Sequence, residues 1–513
     1  MTDKIKELLE SRHPEYEENL AHWKFLEDTY EGGRDWFEKN IFQFVKEGPI
    51  EFEKRVARAY RFNHTKQVVD QVDKYVFKMP IARKVEDAPD AIKAFWKRAT
   101  RSGLDIDTFA KRISNSTSIY GRVWVVVDSS IKPGEVKSLK DEKSGIGQIY
   151  AYIVRPQEML DMSYDEIGEL NWALIKEFKR DDENPLNSSR KEITQYRLWT
   201  RTEWTLFEIQ KPKGGKHKYV EVDSGTHDLG IVPIIQADHV FSEELYRAPG
   251  LIEDAAYMDR AVANYLSNLD AIIQDQTFSQ LAMPAQGLLP GEEGSDKLID
   301  MSTKRVFLYN GESGSQPFYL APDPKQAELI LSAISSIINE IYHSVGLAGE
   351  RNDSNSGGGG AESSGVAKSY DFERVNSLLA AKAAALQHTE MLISRLVCCY
   401  AGKEVQDLDG LLAYPAEFDV RSVYDEFEIA AQLSLITAPD EVRREQMRSL
   451  IKKLFPAAPS KVVELLESSL KDWPPEMLMA DGLGAPKAPG EKSSGASPLK
   501  AANTQRVAKK MAS

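Results

Sequence analysis

Residues 323 to 374 place an amphipathic helix, a glycine-rich stretch and a second long helix in succession, and that order constrains everything around it. The middle, from Gly349 to Gly365, reads GERNDSNSGGGGAESSG and is too polar and too glycine-rich to bury anything. A mobile loop is therefore expected between two rigid rods. Pro324 after Asp323 fits the first turn of a helix behind its N-cap, and Gly346 fits the residue that ends it. Ala327, Ile330, Leu331, Ile334, Ile337, Ile338, Ile341 and Val345 form one stripe at helical spacing, and Lys325, Glu328, Ser332, Ser335, Asn339 and His343 form the other. One face requires neighbours and the other tolerates water.

The loop has two plainer readings. Its composition suits a disordered linker. It also approaches a phosphate loop, because Gly360 and Gly365 have the Walker separation and Lys368 and Ser369 follow. In a phosphate loop the lysine directly follows the glycine so that its amine reaches phosphates cradled by backbone N–H groups. Here Val366 and Ala367 intervene, and no apolar strand precedes, so nucleotide binding is disfavoured.

Composition and motifs narrow the function further. A chain of 513 residues with 42% hydrophobic and 28% charged content can build large cores in several subdomains. No apolar run approaches membrane-spanning length, and the first residues lack a signal-peptide core, so a soluble, non-secreted protein is expected. Cys398 and Cys399 are the only cysteines, adjacent on an expected helix, which excludes a disulfide framework or a four-cysteine zinc site. The eight histidines show no HExxH or short-spaced pair, and there is no Gly-x-Ser-x-Gly elbow. Neither a catalytic residue, nor a metal site, nor a cofactor is expected, and the chain does not read as an enzyme.

Along the chain, residues 14 to 47 carry Trp23, Phe25, Tyr30, Trp36, Phe37, Phe42 and Phe44 among charges, the pattern of helices docked by aromatic anchors. Helices are expected over 52–76, 90–101 and 106–120. Gly121 then opens a β-branched run, Arg122 to Asp128, that reads as a buried strand. Strands follow over 149–154, 170–176, 192–198, 203–209, 218–222 and 231–235, making this part α+β. Helix returns over 251–280, a rod of about 45 Å at 1.5 Å per residue, against about 33 Å for 324–345. A strand-and-turn insert over 281–322 lies between them.

Several strings occur in an order that resembles the portal proteins, or head-to-tail connectors, of tailed bacteriophages. They are Tyr60-Arg61-Phe62-Asn63 with Lys66, Val68 and Val69, Tyr120-Gly121 leading into Val123 to Asp128, Arg155-Pro156-Gln157-Glu158-Met159-Leu160-Asp161, Asp228-Leu229-Gly230-Ile231-Val232-Pro233, and Ser364 to Asp371 opening a long helix. The resemblance spans roughly residues 20 to 475. It implies an α+β portal fold with a mixed wing domain over 1–248, stem helices over 249–280 and 323–346, and a small β-rich clip over 281–322. A tunnel loop over 347–365, a long helix and wing return over 366–425, a helical crown over 426–480 and a disordered basic tail over 481–513 complete it.

The resemblance also implies a function: a cyclic homo-oligomer, generally a dodecamer, at one capsid vertex of the virion, assembled in the host cytoplasm, through which double-stranded DNA is packaged and ejected without sequence preference. Its partners would be the major capsid and scaffolding proteins, the terminase large subunit and a head-completion adaptor, with no membrane contact. By position, Glu350, Arg351, Asn352 and Asp353 of the tunnel loop would face DNA, and Lys325, Glu328, Ser332, Ser335 and Asn339 would line the channel. Glu292, Glu293, Asp296, Lys297, Asp300, Lys304 and Arg305 of the clip would contact terminase or adaptor. Charge agrees. The whole chain carries −14 and the tail, with six basic and two acidic residues, carries +4, leaving −18 for residues 1–480. Strongly basic walls would hold DNA through counterion release, whereas an acidic body lets it slide. Two other classes remain: a helical virion scaffold without a pore, and a packaging ATPase, which lacks its phosphate loop here.

Overall fold

The computed structural model describes residues 2–45, 47–129, 148–182, 184–210, 218–227, 229–277, 280–284, 307–309, 316–320, 325–347, 365–402, 408, 410–416 and 418, with short helical pieces within 441–451 and 465–470. Five helices come first: α1 (Thr2–Glu10), α2 (Pro14–Glu31), α3 (Arg34–Asn40), α4 (Pro49–Arg58) and α5 (His64–Val76). Pro14 and Pro49 occupy first turns, where the missing N–H loses no bond. Trp23 and Trp36 are buried as anchors, while Phe42 and Phe44 stay exposed. The single helix expected over 52–76 is in fact two. The chain leaves helix after Arg58, and Asn63 takes a left-handed φ of 46° while its side chain accepts from the Lys66 N–H. Asparagine is one of the few non-glycine residues that tolerates this conformation, and no glycine or proline marks the break.

Next come β1 (Ala82–Arg83), α6 (Asp90–Lys97), α7 (Ile106–Tyr120) and β2 (Arg122–Ser129). The helix α6 stops four residues before the expected Arg101, whereas α7 and β2 meet at Gly121 as expected. Gly121 sits at φ 81°, and a Cβ there would lie 1.8 Å from the Ala248 carbonyl oxygen. That close crossing lets Leu251 donate to Ser118 O and His239 to Gly121 O, so the segment leading into the next helix is laid across the α7–β2 corner. Val123 to Val127 are fully buried because β2 is the centre of a sheet, antiparallel to β3 (Ile149–Val154) on one side and β9 (Ile234–Asp238) on the other. β9 begins three residues later than expected.

A five-stranded antiparallel meander adjoins it, in the order β4 (Met159–Tyr164), β5 (Leu170–Arg180), β6 (Glu192–Thr200), β7 (Glu203–Gln210), β8 (Lys218–Thr226). β4 has no counterpart among the expected strands, since Met-Leu-Asp-Met-Ser-Tyr has no β-branched aliphatic residue and a register shift interrupts its pairing.

After the sheets come α8 (Glu253–Thr277), β10 (Gln280–Pro284), β11 (Phe307–Tyr309), β12 (Phe318–Leu320), α9 (Lys325–Ser344), α10 (Gly365–Tyr400) and β13 (Leu412–Ala413), the last paired with β1. β10 is central in a small sheet, parallel to β11 and antiparallel to β12, with Gln280 opposite Leu320. That pairing brings the end of α8 and the start of α9 together, so the two helices run antiparallel from one root. At 25 and 20 residues they extend about 38 and 30 Å. The chain divides into a unit of residues 1–420 and one of 421–513, and in the second the described residues are helical pieces, with Leu470 buried. The expected crown falls mostly, and the tail wholly, outside the described residues.

Candidate functional site

Among the described residues, α9 is packed on one side only. Ile334, Ile341 and Val345 are buried and Ala327, Ile330, Ile337 and Ile338 half-buried, against α8 and the core. Lys325, Glu328, Ser332, Ser335 and Asn339 are all exposed. At 100° per residue those five fall within one arc of about 80°, centred some 140° from Ile334. The arc holds one cation, one carboxylate and three neutral polar residues, so it is uncharged overall. Leu331, assigned to the apolar stripe by spacing, lies at its edge and is 50% exposed.

The C-terminal end of α9 is fixed. Gly346 at φ 76° ends the helix, its N–H donating to His343 O at 3.0 Å while Leu347 N–H donates to Tyr342 O at 2.7 Å, a Schellman pair in which glycine takes the left-handed position. Tyr342 donates to Gln67 Oε1 at 2.7 Å and lies 3.2 Å from His64 Nδ1, tying this end to α5. Leu347, the last described residue before the glycine-rich stretch, is buried. The expected tunnel-loop residues Glu350, Arg351, Asn352 and Asp353 lie outside the described residues, as do the clip residues Glu292, Glu293, Asp296, Lys297, Asp300, Lys304 and Arg305. Of the expected site residues, the α9 set is the one that lies among the described residues, and its members share one face.

α8 is held on two faces. Val262, Leu266 and Leu269 belong to its apolar side, while a polar side is clamped by the N-terminal helices. Asp259, fully buried, pairs with Arg61 at 3.2 Å and accepts from Thr65 Oγ1 at 2.9 Å and Thr65 N at 3.2 Å. Arg61 also donates to Thr29 O and lies 4.0 Å over the Trp36 ring, and burial pulls its guanidinium below its usual range. Asn264 bonds Asn40 O and the Phe42 N–H. Arg55 reaches Ser267 Oγ at 2.8 Å while forming a two-point pair with Glu47, and Arg58 meets Asp270 at 3.2 Å. Asp259, Ser267 and Asp270 share one helical face and are of types that are ordinarily solvated. Nothing in their types signals burial, and the only clue is the matching arginine series at Arg55, Arg58 and Arg61.

α10 carries a third anchor that sequence reading missed. Lys382 is fully buried, and its Nζ lies 2.9 Å from Ser114 O, 2.7 Å from Ser118 Oγ and 3.0 Å from His239 Nδ1. An ammonium only donates, so His239 Nδ1 accepts and its imidazole is neutral. Burial, then Lys382, keeps His239 well below the usual histidine range. Burial likewise brings Lys382 down to about 8, with Asp73 opposing, and pushes the Asp73 carboxyl up. Glu390, four residues beyond the Leu386 turn, accepts two bonds from Arg83 at 2.6 and 2.9 Å and one from Tyr414 at 2.7 Å. Together the two groups fasten α10 to α7, the residue after β9, β1 and the segment after β13.

The sequence profile of the family described as phage portal protein, SPP1 Gp6-like, matches residues 12–293, more than half of the chain. The chain belongs to that family. It is a structural component of a phage-type virion, a portal ring subunit at the capsid vertex. Among solved structures the chain is similar to a chain from the neck of an empty GTA particle computed with C6 symmetry, at 12% identity and a TM-score of 0.38, covering 74% of this chain and 87% of that one. It is also similar to one from the virion of a native gene transfer agent particle, at 12% identity and a TM-score of 0.37, covering 77% and 89%. No curated protein sequence matches.

Proposed function

We propose that α8 and α9 are the stem of the portal ring, with the polar arc of α9 facing the lumen through which double-stranded DNA is packaged and ejected. The observation that carries this reading is the division of α9 into a side packed on α8 and a side where Lys325, Glu328, Ser332, Ser335 and Asn339 are all exposed. A polar arc in which one lysine is balanced by one glutamate wets the channel without the dense positive charge that would hold phosphates. In this reading the ring has twelve subunits, residues 1–248 form the wing, the segment around β10, β11 and β12 is the clip, and residues 426–480 form the crown. The clip residues Glu292, Glu293, Asp296, Lys297, Asp300, Lys304 and Arg305 dock the terminase large subunit and later the head-completion adaptor, while the wing and crown meet capsid and scaffolding proteins during assembly in the host cytoplasm. The glycine-rich loop with Glu350, Arg351, Asn352 and Asp353 forms a flexible collar around the duplex and resists backward slippage.

The test is to replace Ser332 and Ser335 together by lysine. Both are exposed, so rings should assemble as in the parent, while the added positive charges should slow DNA packaging and make DNA retention steeply salt-dependent. Parental packaging in this variant would remove α9 from the channel wall.

A further inference from the structure

Leu329 and Leu331 are the two large apolar residues that α9 leaves in water, 72% and 50% exposed. Being two residues apart, they project about 200° from each other and differ in height by about 3 Å. Together they bracket the polar arc: relative to its centre, Leu331 lies about 80° to one side and Leu329 about 80° to the other. A helix that turns the arc toward a ring's axis therefore points one leucine at each neighbouring copy, at nearly one height.

We infer that Leu329 of one subunit packs against Leu331 of the next, so that the α9 helices close the channel wall by a repeated head-to-tail leucine contact. This rests on the ring reading above and names the partner surface within it. The occupant is a second copy of this chain because the two leucines are each other's complement under rotation, as a heterologous cyclic interface requires. Leu329 stands among Lys325, Ser332 and Ser336, and Leu331 borders the packed stripe beside Glu328 and Ser335, so each offers too narrow a strip to seat a separate folded protein. The spacing closes as well. Twelve helices about 10 Å apart define a circle of about 19 Å radius, leaving about 28 Å between opposite helix surfaces, enough for a double helix.

A charge swap tests the contact in the full chain. Leu329→Asp alone and Leu331→Arg alone each place an unmatched charge against a leucine of the next copy, and ring abundance by native mass measurement should fall about tenfold or more. Monomer unfolding should be unchanged in both, because both positions are exposed. The double variant should recover rings to within about threefold of the parent. Residues two apart on one helix do not face each other, so recovery can only come from the introduced carboxylate of one subunit meeting the introduced guanidinium of the next. As a second readout, Leu329→Cys with Leu331→Cys should give a ladder of cross-linked oligomers with a short bis-maleimide, and neither single cysteine should. Parental ring abundance in both single charge variants, or loss in the double variant together with no ladder, overturns the contact while leaving the ring intact as a reading. A parent chain that forms no ring overturns that reading and this inference with it.

Discussion

α8 and α9 spring from one root as antiparallel neighbours, yet they are held in opposite ways. α8 is gripped on two faces, and one grip consists of charges buried against the N-terminal helices: Asp259 with Arg61, and Ser267 with the Arg55–Glu47 pair. α9 is gripped on one face, mainly by hydrocarbon with Tyr342 bonded to Gln67, and the rest of its surface carries polar and charged side chains, Lys325 and Glu328 among them, and two leucines. A buried ion pair adds little net stability but is costly to break, so it fixes position more than it adds strength. α8 thus reads as the pillar and α9 as the working surface, and substitutions should separate them.

The largest effect is expected where α9 enters the core. Ile334→Asp places an unpartnered carboxylate at a site 6% exposed and should cost about 4 kcal/mol or more, read by urea unfolding, with rings lost. Asp259→Ala leaves Arg61 buried and unpaired, at about 3 kcal/mol. Arg61→Met with Asp259→Leu should recover most of that loss, which the α9 substitution cannot imitate.

α10 resembles α8 in burying a charge, and pH exposes it. The folded Lys382 titrates near 8 and an unfolded lysine near 10.5, so between those values the unfolded state binds more protons and stability should rise with pH. From pH 8 to 9.5 the contribution of Lys382 to that rise should be about 1.6 kcal/mol, and Lys382→Met should remove it. Smallest are the exposed positions. Ser332→Ala and Ser335→Ala should change stability by less than about 0.5 kcal/mol. Deleting Ser356 to Gly360 should leave rings intact and shorten packaged or retained DNA, and unchanged DNA length would make the stretch a plain linker.

Sequence reading did well where one local signal dominates. Gly121 between a helical period and a β-branched run located α7 and β2, and Gly346 marked the end of α9. The polar arc was legible because α9 is packed on one side. Reading failed where tertiary contact reverses a residue's ordinary habit. Lys382 and Asp259 are types usually solvated, and only partners more than a hundred residues away explain their burial. The break at Asn63 and the strand Met159–Tyr164 were missed for a related reason: their signals are weak alone and are fixed by Tyr30 and by β5.

The most direct test of this division is an electron-microscopy reconstruction of the assembled full-length protein. The expected result is a closed ring in which Lys325, Glu328, Ser332, Ser335 and Asn339 of every copy face the lumen and α8 stands behind them. Rings with those residues buried between subunits or turned outward, or an assembly without a channel, would contradict it.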